Sequence, residues 1–420
     1  MQVYKFGGAS IATPERMRAL LPIISQAERP LLLVVSALGK TTNQLEAIVA
    51  AAAKGEVEEA RTLTAALETV HRQYAQDILH GAHLQAAEEA MTLILTELEW
   101  SLDDAAHQAY DYVYDQMVCV GELLSTTIFS HYLNQEGCQN AWLDVRDIIR
   151  TNSHYRDAQV DEAFTEKAVN EKLLPLWNAQ SIVITQGFIG ATDENHSTTL
   201  GREGSDYTAA LLGSMLNATK VTIWKDVEGL LNADPRLFDD TIKIPQISYY
   251  EVIEMAYYGA QVIHPKTIKP LHNKGIPLAV KCFLNPSLEG TLIDVNIDAA
   301  YPPIIVCKKN QVLLEVISKD YSFVTEDVLS QIYELFAKHR VKINMMQNAA
   351  ISLVAAIDNR QDKIAPLIND LQIQFMVRRN EEVELLTVRH YDEAILNMLC
   401  AGKSILLQQK TRKTAQFIVR

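Results

Sequence analysis

Lys5-Phe6-Gly7-Gly8 closes a short apolar run, Val3–Phe6, near the start of the chain. Two successive glycines let backbone N–H groups approach a phosphate, and a lysine beside them supplies a point charge for it. A lysine next to a glycine turn is also a common structural device, so the tetrapeptide alone decides nothing. A denser group stands at Thr198-Thr199-Leu200-Gly201-Arg202-Glu203-Gly204-Ser205-Asp206. It runs into the Ala/Leu-rich segment Tyr207–Met215, which reads as a helix. Ser205 and Asp206 then fall at a helix N-terminus, where free N–H groups and the helix dipole favour anions. Ser-Asp in that place also reads as a helix cap. Capping leaves unexplained the fork of Arg202 between two glycines, which suits a carboxylate or phosphate.

Lys225-Asp226-Val227-Glu228-Gly229 and Ala233-Asp234-Pro235-Arg236 put both signs of charge on a loop after a strand, with an ordinary turn as the competing reading. Gly121-Glu122-Leu123-Leu124-Ser125 sets one carboxylate among apolar residues, although most helical glutamates are solvated. His264-Pro265 has no nucleophile or ligand beside it and reads as structural or capping. No GxxxxGK[ST], no GxGxxG after a strand, no GxSxG, no HExxH and no Cys/His metal spacing occurs. Cradling glycines, Lys, Arg and carboxylates remain. That inventory fits phosphoryl transfer to a small anionic acceptor, where positioning and charge neutralisation do most of the catalysis.

The elements that must position these residues are short β-rich runs: Val3–Phe6, Leu31–Val35, Ile182–Thr185 and Val221–Trp224. Each ends in glycine or polar residues and is flanked by helical segments, which predicts a mostly parallel sheet covered on both faces. Ligands gather at the carboxyl ends of such strands. Residues 43–118 lack proline and carry apolar residues at helical spacing, such as Ala87, Met91, Ile94 and Leu98, so they read as a helical segment for packing and oligomer contacts. Tyr301-Pro302-Pro303 reads as a linker. Beyond it a βαββαβ module is expected over about 310–380, with a shorter strand–helix–strand–strand coda over about 383–420.

Charge separates the same two parts. The 420 residues carry 38 Lys+Arg against 52 Asp+Glu, a net of −14. Residues 1–300 hold 22 against 39, a net of −17, and residues 301–420 hold 16 against 13, a net of +3. So acidic a chain is not expected to bind nucleic acid or an anionic membrane through its overall field. Five scattered cysteines without CxxC point to a reducing compartment. With no leader-like N-terminus and no long apolar run, a cytoplasmic protein is expected.

Taken in order, these segments resemble aspartate kinase of the amino-acid kinase superfamily, with an ACT-type regulatory tail. The resemblance rests on KFGGAS (5–10), VVSALGKTTNQL (34–45), VGELLST (120–126), WLDVRDIIRTN (142–152), TQGFIGAT (185–192), TTLGREGSDYTAALL (198–212), DVEGLLNADPR (226–236) and YGAQVIHPKTI (258–268). It implies a three-layer αβα catalytic domain over 1–300 and an α+β regulatory region over 301–420. It also implies transfer of the ATP γ-phosphate to the β-carboxylate of L-aspartate, with Mg²⁺. Carried over by motif, Lys5, Gly7 and Gly8 would hold the triphosphate, and Asp206 would lie near the transferring group or its metal. Ser36, Thr42, Glu122, Phe188, Arg202 and Ser205 would form the aspartate pocket, Glu122 taking the ammonium and Arg202 a carboxylate. Asp226 and Arg236 would face the nucleotide. No protein metal site is expected.

The sequence departs from relatives at three places. Glu203 stands where many have Gly or Asn, Gln261 where most have a lysine contacting ATP, and Lys225 where most have Thr. Lys225 is therefore expected to replace the missing cation and to act on ATP affinity. ACT units bind amino acids at paired interfaces, which implies a homodimer or higher assembly and feedback by lysine or threonine. Ser318, Asn344 and Gln347 are the expected effector residues. Two other readings stay open from sequence: another kinase of the superfamily, and a catalytically weakened amino-acid sensor.

Overall fold

A computed structural model describes residues 1–260, 263–297 and 300–420. The chain forms two compact units. One comprises Met1–Leu230, Pro245–Ile253 and Val262–Ala299; the other comprises Leu231–Ile244, Glu254–Gln261 and Ala300–Arg420. A single cut at residue 300 differs from this division by the two short earlier segments that join the second unit.

The first unit is built on a sheet of β1 (Gln2–Phe6), β2 (Leu31–Val35), β3 (Ala141–Leu143), β4 (Ile182–Gln186), β5 (Lys220–Lys225), β6 (Gln246–Ser248), β7 (Leu278–Cys282) and β8 (Thr291–Asp294). Their order across the sheet is β6-β8-β7-β5-β1-β2-β4-β3. All neighbouring pairs are parallel except β7 with β8. Every residue of β2 and β4 is buried, as the continuous apolar runs require of strands covered on both faces. Alternation along β1 assigns the faces: the Phe6 ring packs edge-on to Phe129 of one helical layer, and Lys5 meets Asp206 of the other.

Residues 43–118 are helical, in α1 (Thr41–Ala53), α2 (Val57–Ile78), α3 (Gly81–Asp104) and α4 (Tyr110–Val118), followed by α5 (Val120–Gln135). The buried stripe of α3 is Ala87, Met91, Leu95, Leu98 and Leu102. Leu95 takes the central place that the sequence pattern offered to Ile94, which is only partly buried. On the opposite face of the sheet lie α6 (Gly204–Met215) and α7 (Pro265–Lys274). His264 caps α7, its Nδ1 accepting from the Lys266 amide at 3.2 Å.

The second unit carries one antiparallel six-stranded sheet. Its strands are β9 (Ile304–Ser318), β10 (Ile343–Asn348), β11 (Ser352–Asp358), β12 (Phe375–Arg389), β13 (Ile405–Lys410) and β14 (Thr414–Val419), in the order β10-β11-β9-β12-β14-β13. Helices α8 (Glu326–Lys338) and α9 (Gln361–Gln374) bury Ile332, Phe336, Ile364, Leu367 and Leu371 against one part of it, and α10 (Glu393–Cys400) buries Leu396 against another. The full and abbreviated modules are not separate sheets. β9 and β12, 15 residues each, pair along their length, with register shifts around Gln311. Ile304–Cys307, which follows the expected linker directly, pairs with Leu386–Arg389 and so supplies a strand to the shorter module.

Candidate active site

The carboxyl ends of β1, β2, β4 and β5 and the first turn of α6 surround a cleft of about 610 Å3. Lys5, Gly7, Gly8, Ser36, Thr42, Glu122, Phe188, Arg202, Ser205, Asp206, Lys225 and Asp226 all line it. Residues scattered over more than 200 positions of sequence thus share one cavity. Two expected residues stand apart. Arg236 belongs to the second unit and is not in the lining; its guanidinium is held by Asp234 at 2.7 Å. Gln261 lies outside the described residues.

At the glycine end, Gly8 comes so close to the following loop that a Cβ would meet the Ala37 carbonyl at 2.7 Å. Lys5 Nζ lies 2.8 Å from Asp206 Oδ1, and Lys225 Nζ lies 3.7 Å from Asp206 Oδ2. Burial alone would push the Asp206 carboxyl up, but Lys5 and then Lys225 outweigh it and hold the group below its ordinary range. Asp206 is not the helix cap that Ser-Asp suggested. The N-cap of α6 is Glu203, in the left-handed region at φ 54°, and its side chain does not cap. Its Oε2 instead accepts from the His264 amide at 2.8 Å, which directs this extra negative charge toward backbone. Ser205 and Asp206 are left in the first helical turn.

The other end of the cleft is a built polar pocket. Ser36 Oγ donates to Ser205 Oγ at 3.0 Å, and Ser125 Oγ donates to the Ser36 carbonyl at 2.8 Å. Gly187 permits the first of these, since a Cβ there would sit 2.5 Å from Ser205 Cβ. Phe188 is held at φ 74°, its amide donating to Thr208 Oγ1 at 3.0 Å. A left-handed phenylalanine is strained, and strain of this kind collects at binding sites. Glu122 is 3% exposed. Its Oε1 accepts from the Ala37 amide at 3.3 Å, while Oε2 has no hydrogen-bond partner among the described residues. Burial pushes this carboxyl up to about 8, with the Ala37 amide and Lys5 offsetting only part. A buried carboxyl with one oxygen unpartnered is left at this end of the cleft. The Arg202 guanidinium is exposed and lines the same cleft.

Arg156, Tyr114 and Thr199 also line the cleft, and sequence reasoning missed them. Arg156 sits at φ 68°, its amide donating to buried Asp115 Oδ2 at 3.0 Å and its guanidinium lying 4.5 Å from the Tyr114 ring centroid. Asp115 also accepts from the Thr199 amide and hydroxyl, at 2.8 Å each. Burial raises its carboxyl to about 6 despite these bonds. Neither the positive φ nor the Asp115 contacts leave a trace in sequence spacing.

Of the expected effector residues, Ser318 and Asn344 lie apart within one chain. Ser318 Oγ bonds Asp320 at 2.6 Å and Ser322 at 2.7 Å. Asn344 lies beside Gln311, seven residues away from Ser318 along β9, roughly 23 Å at strand spacing. There it accepts from Lys308 Nζ at 2.9 Å and donates to Gln311 at 2.8 Å and to Asp358 at 2.9 Å. Gln347 is exposed on β10.

Residues 1–282 match the model of the amino acid kinase family. The chain belongs to that family. The lysine-sensitive aspartokinase 3 of Escherichia coli is 32% identical over 359 residues, covering 85% of this chain and 78% of that protein. The crystal structure of E. coli aspartokinase III with aspartate and ADP matches over the whole chain and 96% of its own, with 28% identity and a TM-score of 0.82. The lysine- and aspartate-bound T-state of the same enzyme gives 29% identity and a TM-score of 0.81. The likeness therefore extends through both compact units and is not confined to the kinase part.

Proposed function

We propose that the chain is an aspartate kinase, which transfers the γ-phosphoryl group of ATP to the β-carboxylate of L-aspartate and gives 4-phospho-L-aspartate, the first step toward lysine, threonine and methionine. The observation that carries this is Glu122. A buried carboxylate with one open oxygen, in the cleft that also holds Arg202 and the Lys5–Asp206 pair, matches an amino acid. The substrate ammonium goes to Glu122 and its α-carboxylate to Arg202, with Ser36, Thr42, Phe188 and Ser205 shaping the rest. The side-chain carboxylate is then left to face the phosphates at Gly7-Gly8. The E. coli structure with aspartate and ADP supports the same pair of ligands here.

A carboxylate with a pKa near 4 is already ionised at pH 7, so the acceptor needs no general base. The catalytic task is to bring two anions together, which falls to preorganised cations. Lys5, Lys225 and Asp226 serve the nucleotide side, and Arg236 and Gln261 join them by resemblance. Among the described residues no cluster of three His, Cys, Asp or Glu is placed to cage a metal. The donor set instead suits Mg²⁺ carried on the triphosphate with most of its water, Asp226 being an exposed cleft carboxylate able to hold it. When bound, the ion would shield charge between the phosphates.

The second unit serves feedback by an amino acid, lysine or threonine, and the lysine-bound E. coli T-state supports a regulatory use of that region. Because Ser318 lies seven residues along the strand from Gln311, beside which Asn344 sits, an effector pocket that uses both suits two copies, hence a homodimer or larger. No helix among the described residues is long and apolar enough to cross a membrane, and we place the enzyme in the cytoplasm. Hydroxamate formation from aspartate and Mg·ATP, with and without lysine or threonine, tests the reading. Turnover with aspartate but not glutamate is expected; no turnover from folded protein would overturn it.

A further inference from the structure

We propose that Arg156 is a specificity-determining residue that shares the α-carboxylate of the substrate with Arg202, and that Asp115 positions it. The inference rests on the kinase reading above and deepens it, since it assigns the group that tells a free amino acid from its α-amide.

Two loops bring the arginines to one place. The loop that carries Arg156 is stitched to Thr199, whose carbonyl accepts from the Ala158 amide at 3.0 Å. Gly201, at φ 77°, then passes so close that a Cβ there would lie 2.7 Å from Asp157 Oδ1 and 3.2 Å from the Arg156 carbonyl. Arg156 therefore lies against the residue that precedes Arg202, and both arginines line the cleft.

The side chain is preorganised. Its guanidinium carbon lies 4.5 Å from the ring centroid of Tyr114, a buried residue that also lines the cleft. The Tyr114 hydroxyl donates to Glu46 Oε1 at 2.8 Å, which fixes this platform. Nη1 of Arg156 donates to Asp111 Oδ1 at 3.1 Å. Nε and Nη2 have no hydrogen-bond partner among the described residues, and their shared edge suits a carboxylate.

Folding alone gives no reason for an arginine here. A backbone at φ 68° strains any residue with a Cβ and suits glycine. The pair with Asp111 is exposed on both sides, and such pairs add little to stability. Yet the fully buried Asp115 is committed to this loop. It accepts from the Arg156 amide at 3.0 Å and from the Thr199 amide and hydroxyl at 2.8 Å each. A strained residue held this firmly beside a cleft points to a ligand.

The substrate can answer both arginines. A carboxylate offers about four lone-pair sites, enough for two guanidinium edges. With the ammonium on Glu122 and the α-carboxylate between Arg156 and Arg202, the β-carboxylate is left to accept the phosphoryl group. Arg156 then touches a part of the substrate that does not react. A contact equally strong in ground and transition states changes KM and leaves kcat.

The test uses Arg156→Gly, which keeps the backbone conformation, and two acceptors: L-aspartate and its α-amide, whose β-carboxylate is intact. With aspartate the variant should show a KM raised roughly threefold to tenfold and a kcat within about twofold of wild type. With the α-amide its kcat/KM should stay within about twofold of wild type, so the discrimination between the two acceptors narrows. Arg156→Lys, which keeps the charge and loses the planar fork, should fall between. Asp115→Asn should give a smaller loss confined to aspartate. An unchanged aspartate KM or an equal loss on both acceptors in Arg156→Gly would overturn the assignment, and an equal loss in Asp115→Asn would make that residue structural only. Calorimetry of both acceptors on wild type and Arg156→Gly repeats the comparison without turnover. If wild type binds aspartate but turns nothing over, the kinase reading fails and the calorimetry still decides what Arg156 contacts; if wild type does not bind aspartate, both readings fall.

Discussion

In the first compact unit Glu122 is buried with an oxygen that has no hydrogen-bond partner among the described residues, and two lysines crowd Asp206. In the second unit Lys308, Gln311, Asn344 and Asp358 close on one another, each joined to another by a hydrogen bond of 2.8 to 2.9 Å. Both clusters put charge in sheltered places, yet they are different devices. A closed network meets the desolvation of its groups internally and rigidifies the fold. An open one leaves a group whose partner must come from outside, which is what a binding site requires.

The largest effect should come from Glu122→Gln. Removing the charge that answers a substrate ammonium should lower kcat/KM for aspartate on the order of 10²- to 10³-fold with little change in the ATP KM. The same variant tests the openness of the site through pH. Glu122 is raised from 4.5 to about 8 in the fold, so the unfolded chain releases this proton first as pH rises. Its stabilising contribution is complete below about 4.5, declines between there and 8, and is gone above it, a change on the order of a few kcal/mol. Substrate-free wild type should therefore lose Tm from pH 5 to 8, and Glu122→Gln should flatten that slope. An equal slope in both proteins would mean that Glu122 is not an open charge.

Next in size is Gln311→Leu, which breaks the closed cluster. Asn344 and Asp358 each lose a partner, so urea denaturation should show a loss of about 1–3 kcal/mol with kcat unchanged. No loss of stability would mean that the cluster is not closed in the sense argued above.

Arg156→Gly probes the cleft residue held in a left-handed conformation. Glycine accepts φ 68° freely, so stability should hold or rise by under about 1 kcal/mol. Loss of the guanidinium should raise the aspartate KM roughly threefold to tenfold. An unchanged KM would make Arg156 a rim residue paired only with Asp111, which it reaches at 3.1 Å. The smallest expected effect is that of Arg236→Ala, a rise of about twofold to fivefold in the ATP KM. If that value does not move, the Asp234 pair is the whole role of Arg236.

Much of the site was legible because its residues sit where short apolar runs stop. Strand ends are a one-dimensional signal, and a parallel sheet brings such ends to one edge. Lys5, Gly7-Gly8, Lys225 and Asp226 could be found that way, and Ser205-Asp206 by the helix that follows them. The local reading still erred at the cap, which is Glu203, because a left-handed N-cap is not encoded by residue type alone. Arg156 and Asp115, 41 residues apart, meet only through the fold. In the second unit, Ile304–Cys307 is absent from the expected elements, and its partner across the sheet lies about 80 residues on.

The sequence by itself determined the parallel sheet, the helical segment over 43–118, the acidic first part and the basic tail, and the chemical inventory of a phosphoryl-transfer site. Those follow from periodicity, composition and residue type, which are local. Only the tertiary structure decided which charges are satisfied. Burial and partnership depend on what other elements bring alongside, so one glutamate became an open acceptor at about 8 and one aspartate the shared anchor of two lysines.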